Sequence, residues 1–183
     1  MSNDIIILHG TKGSPQGNWF PWLKAEMEQR GHTVYVPQFP TPEGQSKEAW
    51  CEALRTQAPL FGPTTKLIGH SCGATFLLHI LEVVRNPVAQ AIFVSPVIAD
   101  IANSEYDTLN STFTHHAFKW DVITANAASR HVLHGDNDPY VPLAQGQTVA
   151  QHLNATLHTI PHGGHLNADA GYTRFEKLLE ILQ

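Results

Sequence analysis

Disulfide chemistry has little to work with in this sequence, because only Cys51 and Cys72 of its 183 residues are cysteines. Two thiols make no disulfide framework, so both are expected free, in a reducing compartment, which points to the cytoplasm. Long hydrophobic runs are missing too. The most apolar stretch, Thr75 to Val84, is interrupted by His79 and Glu82 and is too short to cross a bilayer, so no membrane association is expected. Met1-Ser2-Asn3-Asp4 lacks the basic segment and cleavage pattern of a secretory signal, and none is expected. Charged residues make up 15% of the chain, with a formal net charge of −5 and no basic run, which argues against a nucleic-acid partner. Histidine is plentiful at twelve, yet no His-Glu-x-x-His or Cys-x-x-Cys spacing occurs. The densest pair, His115-His116, points its neighbours in different directions in any regular structure. No metal site and no cofactor are expected.

What is present suits one globular domain over residues 1–183, with 42% hydrophobic residues to build a core. Short apolar runs alternate with longer amphipathic segments. Ile5 to Leu8, Thr33 to Val36, Lys66 to Ile68, Ala91 to Val94, His131 to His134 and Ala155 to Ile160 read as strands. Helices are expected over Trp19 to Arg30 with Gly31 closing the first, then Gln45 to Gln57, Cys72 to Val84, Leu143 to His152 and Tyr172 to Leu182. Several of these strands are apolar without alternation, which indicates burial on both faces. The expected fold is therefore α/β: a doubly wound, mostly parallel sheet of about six strands with helices on both faces. Residues 97–129 break the rhythm. That stretch holds Phe113, Phe118 and Trp120 among polar residues, and reads either as a small lid or pocket insertion or as an ordinary helix with an irregular approach.

Three segments carry chemistry. Gly69-His70-Ser71-Cys72-Gly73 falls where a predicted strand passes into a predicted helix. There, a sharp turn lifts a serine hydroxyl above the sheet edge, and the flanking glycines leave room for it. By chance, a Gly-x-Ser-x-Gly arises in about one chain of this length in twenty-five, so position and partners must decide. Gly135-Asp136-Asn137-Asp138-Pro139-Tyr140-Val141-Pro142 follows the fifth strand, and Pro161-His162-Gly163-Gly164-His165 the sixth. Serine, acid and histidine then come in the order this architecture uses, each after a strand. Ser71 is the expected nucleophile, His165 its base and Asp138 the acid that orients the base. Asp136 is the alternative acid and His162 the alternative base; the two glycines before His165 permit a loop that reaches Ser71. The oxyanion is expected to meet the backbone N–H of Cys72 and of Thr11, which follows the first strand in His9-Gly10-Thr11.

Together, the strand-end His-Gly, the Gly-His-Ser-Cys-Gly turn, the Gly-x-x-Asp-x-x-Val-Pro segment and the Gly-Gly-His resemble the α/β-hydrolase superfamily over nearly the whole chain. The small size and Trp120-Asp121-x-Ile123 are similar to the compact serine hydrolases related to retinoblastoma-binding protein 9. The resemblance implies a minimal α/β-hydrolase core, a small or absent cap and the same triad of Ser71, Asp138 and His165. One departure stands out: neither cysteine lies in a Leu-x-Cys-x-Glu segment, so a retinoblastoma-protein partner is not expected. The expected activity is carboxylesterase-like hydrolysis of a small acyl ester through an acyl-serine intermediate. Amidase, peptidase or thioesterase activity with the same triad remains open, as does a non-catalytic binding protein on the same fold. Haloalkane or epoxide chemistry needs a carboxylate where Ser71 stands. The partner is a small acyl substrate, and the oligomeric state is not fixed by the sequence.

Overall fold

Ile5, Ile6, Ile7 and Leu8 are all completely buried, so this strand needs cover on both sides. A computed structural model provides it and describes residues 4–183. Met1-Ser2-Asn3, on which the expectation of no secretory signal partly rests, lies outside the described residues. In chain order the elements are β1 (Asp4–Leu8), α1 (Phe20–Gln29), β2 (Thr33–Tyr35), α2 (Lys47–Gln57), β3 (Lys66–His70), α3 (Cys72–Val83) and β4 (Val88–Val94). They continue with α4 (Ser104–Thr114), α5 (Trp120–Ala125), β5 (Ala127–Gly135), α6 (Leu143–Leu153), β6 (Thr156–Ile160) and α7 (Glu176–Leu182). The six strands form one parallel sheet in the order β2-β1-β3-β4-β5-β6.

Alternate residues of each strand feed opposite cores, as the period of two requires. Ile6, Leu8, Leu67, Phe93 and Val132 face a core filled by α2, α3 and α6, with Phe113 of α4 and Ile123 of α5 added to it. Ile5, Ile7, Ile68, Ile92 and Leu133 face a second core with Phe20, Leu23 and Met27 of α1 and Leu178 and Leu182 of α7. Helix α3 has ten of its twelve residues buried, which explains why its sequence is apolar almost all round.

Three boundaries differ from the expected ones by three residues or more. β4 begins at Val88 and β5 at Ala127, because pairing of Val88 with Ala127 and Gln90 with Ser129 carries polar residues into the ladder. The last helix starts at Glu176 rather than Tyr172, since a 3₁₀ turn at Ala168–Ala170 and the packing of Tyr172 on Phe175 occupy the approach. The stretch 97–129 holds two helices, α4 and α5. Phe113, Phe118 and Trp120 pack against other rings: Phe113 lies against Trp50 and Phe76, Phe118 against His79, and Trp120 stacks on His152.

The chain runs from β1 outward to β2 and then returns to the other side of β1 to begin β3. This reversal leaves a crevice beyond the carboxyl ends of β1 and β3, where doubly wound sheets bind ligands.

Candidate active site

Ser71 occupies that crevice. It is the residue between β3 and α3, with φ 56° and ψ −124°, outside the regions an ordinary L-residue prefers. Holding it there costs about 1–3 kcal/mol, offset by its surroundings. Its N–H donates to Val94 O at 2.8 Å, tying the turn to β4, while its own carbonyl accepts from Ala74. The turn fits only because Gly73 has no side chain. A Cβ there would stand 2.2 Å from Leu8 O and 2.5 Å from His9 O, both backbone atoms of β1 and its extension. Gly73→Ala is therefore expected to destabilise the fold by about 3 kcal/mol, the upper range for an overpacked site. At this chain length that lowers the melting temperature by roughly 6–12 °C, readable by circular dichroism.

The acid and base loops are stitched to one another. Gly135, at the end of β5, passes so close to the base loop that a Cβ would sit 2.1 Å from Gly164 O. Asn137 Oδ1 accepts from the Gly164 N–H and Asp136 Oδ1 from the His162 N–H, each at 2.8 Å. This settles the geometry of the two alternatives: Asp136 holds the backbone of the base loop, and His162 lies exposed on it. Asp138 is the carboxylate that meets an imidazole, with Oδ2 2.7 Å from His165 Nδ1. Its Oδ1 accepts the N–H groups of Tyr140 and Val141 at 2.9 and 3.0 Å. Burial works to raise the Asp138 carboxyl, but the His165 bond and these two amides outweigh it and hold it below the ordinary carboxylate range.

The base loop is clamped from beneath. His70 Nε2 donates to His165 O at 3.0 Å, and Trp19 Nε1 donates to Leu166 O at 3.1 Å. Burial, with the neighbouring His165 adding to it, pushes the His70 ring down to about 3, so it stays neutral and donates through Nε2. His134, on β5, donates Nε2–H to Val141 O at 2.9 Å and supports the acid loop from its far side.

Ser71 and His165 line one cavity of about 230 Å³ with Gly10, Thr11, Tyr106, Asn110, Tyr140 and Val141 among its walls. Thr11 is fixed by its hydroxyl, which donates to Asn110 Oδ1 and accepts from Gln45 Nε2 at 2.9 Å. Lys12 ion-pairs with Glu105 of α4 at 2.6 Å, so its charge is answered at the cavity rim. Cys72 is wholly buried as the first residue of α3, and burial pushes its thiol up to about 12, which keeps the sulfur inert. Sequence reasoning missed Gln45, Tyr106, Asn110 and His134. Gln45, Tyr106 and Asn110 act across long sequence separation, and His134 acts within β5 and the loop after it but belongs to no motif.

A family model for serine hydrolases matches residues 5–183. The chain belongs to the serine hydrolase family. Two relatives of this serine hydrolase span nearly its whole length. YdeN of Bacillus subtilis (strain 168) is 28% identical over 184 residues, covering 100% of this chain and 95% of its own. The serine hydrolase RBBP9 of Rattus norvegicus is 25% identical over 181 residues, 97% of this chain and 92% of that one. The crystal structure of the B. subtilis ydeN gene product superposes with a TM-score of 0.90 over 98% of this chain and 96% of that chain, at 28% identity. Est1E from Butyrivibrio proteoclasticus, at 17% identity, shares the fold with a TM-score of 0.70 over 99% of this chain and 85% of its own. The architecture is that of an α/β-hydrolase, and the activity of this serine hydrolase is hydrolysis. No helix among the described residues is long and apolar enough to cross a membrane.

Proposed function

We propose that this hydrolase cleaves small acyl esters through an acyl-Ser71 intermediate, with His165 as general base and Asp138 as its orienting acid. The observation that carries the reading is the 2.7 Å contact between Asp138 Oδ2 and His165 Nδ1 in a loop that shares its cavity with Ser71. Asp138 accepts a hydrogen bond from Nδ1–H and holds the proton on that nitrogen, which leaves the Nε2 lone pair as the basic site. Ser71 Oγ attacks the ester carbonyl carbon and gives its proton to His165 Nε2. The carbonyl oxygen becomes an oxyanion, met by the N–H groups of Cys72 and Thr11. Collapse re-forms the carbonyl and expels the alcohol, which takes the proton from His165. Water then attacks the acyl-enzyme by the same path, releasing the acid and restoring Ser71.

The cavity volume of about 230 Å³ supports a small acyl group, being below the usual range for drug-sized ligands. Val97, Ile101, Tyr106 and Asn110 of the 97–129 stretch supply one wall, so we assign that stretch the role of pocket wall. The catalytic steps use groups of this chain alone. Cys51 and Cys72 are free thiols, which supports placement in a reducing cytoplasm.

A fluorophosphonate probe tests the reading, because it labels only a serine that a neighbouring base activates. Stoichiometric adduct on Ser71, located by mass spectrometry, together with turnover of short-chain aryl esters, is the expected result. A folded protein that takes up no label would overturn it in favour of a non-catalytic binding role. Labelling with turnover confined to thioesters or peptides would keep the triad and replace the substrate class.

A further inference from the structure

Helix α3 has a second chemical feature on its far turns, away from Ser71. His79 and Glu82 are three residues apart, which places them on one face of the helix. The chain beyond α4 returns across that face and adds His116. We infer that His79, Glu82 and His116 form a divalent-cation site that takes zinc and ties the 115–119 segment to α3. One ligand atom from each of the three lies within 4.8 Å of the other two.

The local bonding matches what a metal requires of its ligands. The Nε2 of His79 lies 2.9 Å from Phe113 O. A carbonyl only accepts, so Nε2 carries the proton and Nδ1 keeps the free lone pair. A backbone carbonyl holding the distal N–H is a usual partner of metal-binding imidazoles, where it fixes tautomer and ring orientation. Glu82 is held on its other side, where Oε1 accepts the Lys119 N–H at 2.6 Å. The second oxygen, Oε2, faces His116 Nε2 at 2.8 Å.

Zinc takes the place of the proton between those two atoms, and the neutral His116 ring then carries its proton on Nδ1. Two imidazoles and a carboxylate, completed by water, suit zinc in both ligand type and number. Zinc–ligand bonds of about 2.0–2.2 Å set tetrahedral ligand atoms roughly 3.4 Å apart, so the 2.8 Å Glu82–His116 pair must open slightly while the wider separations, none above 4.8 Å, close. The His116 side chain, 31% exposed, is free enough to make that movement. Lys47, whose charge is felt at His79, is answered by Glu48 at 3.5 Å. The Phe118 ring lies 5.0 Å from both imidazole rings and closes one side of the cluster. None of the three ligands lines the cavity that holds Ser71. The site is thus a clamp for the α4–α5 connection, beyond the hydrolytic chemistry.

The test is a zinc titration of chelator-treated protein against a competing chromophoric chelator, with thermal melting in parallel. One equivalent is expected to bind and to raise the melting temperature. His116→Ala removes an exposed ligand, and Glu82→Gln keeps the oxygen that accepts the Lys119 amide, so both variants should melt like the metal-free protein. Each is expected to weaken zinc at least about 100-fold, the upper end of what loss of even an outer partner costs. His158→Ala, which removes a close imidazole pair with His131 outside the cluster, is expected to leave affinity unchanged. Absence of stoichiometric zinc in the parent protein overturns the inference. So does zinc binding that ignores both ligand variants or that is lost in His158→Ala.

Discussion

Ser71→Ala is expected to lower kcat on a short-chain aryl ester by up to about 10⁶-fold, with the fold retained. The substitution deletes the one oxygen that bonds to the acyl carbon, so neither His165 nor the oxyanion donors can replace its role. What survives is the residual acceleration of about 10³–10⁴ over water that binding and oxyanion stabilisation supply without a nucleophile. The turn itself is held by backbone bonds from Ser71 N to Val94 O and from Ala74 N to Ser71 O, which alanine keeps. Alanine inherits the positive φ, so stability should stay within about 1 kcal/mol of the parent. Steady-state kinetics and a melting curve read both halves. A variant that retains a tenth of the parental rate sinks the acyl-serine mechanism.

Asp138→Asn carries the second largest expected effect, about a 10⁴-fold loss in kcat with little change in fold. The reason is a matter of tautomers. The asparagine Oδ1 can still accept the Tyr140 and Val141 amides, so the acid loop keeps its shape. Its NH₂ group now faces His165 Nδ1 and donates to it, which drives the ring proton to Nε2. Nε2 is then a donor and cannot take the Ser71 proton. Asp136→Asn is the control, because Asp136 accepts the His162 amide and meets no imidazole. Its kcat should stay within a few-fold of the parent. Equal losses in the two variants would point to loop disruption and dissolve the tautomer argument.

That control also marks where local reading of the chain reached its limit. Asp136 and Asp138 both follow β5, and His162 and His165 both follow β6, within the same short loops. Residue type and spacing admit either member of each pair. The choice is made when Gly135 and Gly164 pass within contact distance, because that approach turns Asp136 to backbone and Asp138 to the imidazole. The aromatic residues of 97–129 illustrate the same limit. Nothing near Phe113 in the chain says that it packs against Trp50, which is contributed by α2.

The candidate zinc cluster escaped the spacing search for the same reason. His79 and Glu82 form only two-thirds of a ligand set, and the third comes from beyond α4. The supporting residues behave alike: His70 reaches His165 O across 95 positions, and Gln45 meets Asn110 across 65.

The sequence by itself determined the α/β character, the strands, most of the helices and the strand–helix turn that carries Ser71. Those features rest on periodicity, on burial of continuous apolar runs and on the steric demand of one sharp turn, all of which act between near neighbours. Only the tertiary structure decided which carboxylate faces which imidazole, which side chains wall the cavity, and that α3 and the α4–α5 connection share a ligand cluster. Those outcomes depend on sheet order and on the reversal between β1 and β3, which bring together segments whose neighbours in the chain hold no record of the meeting.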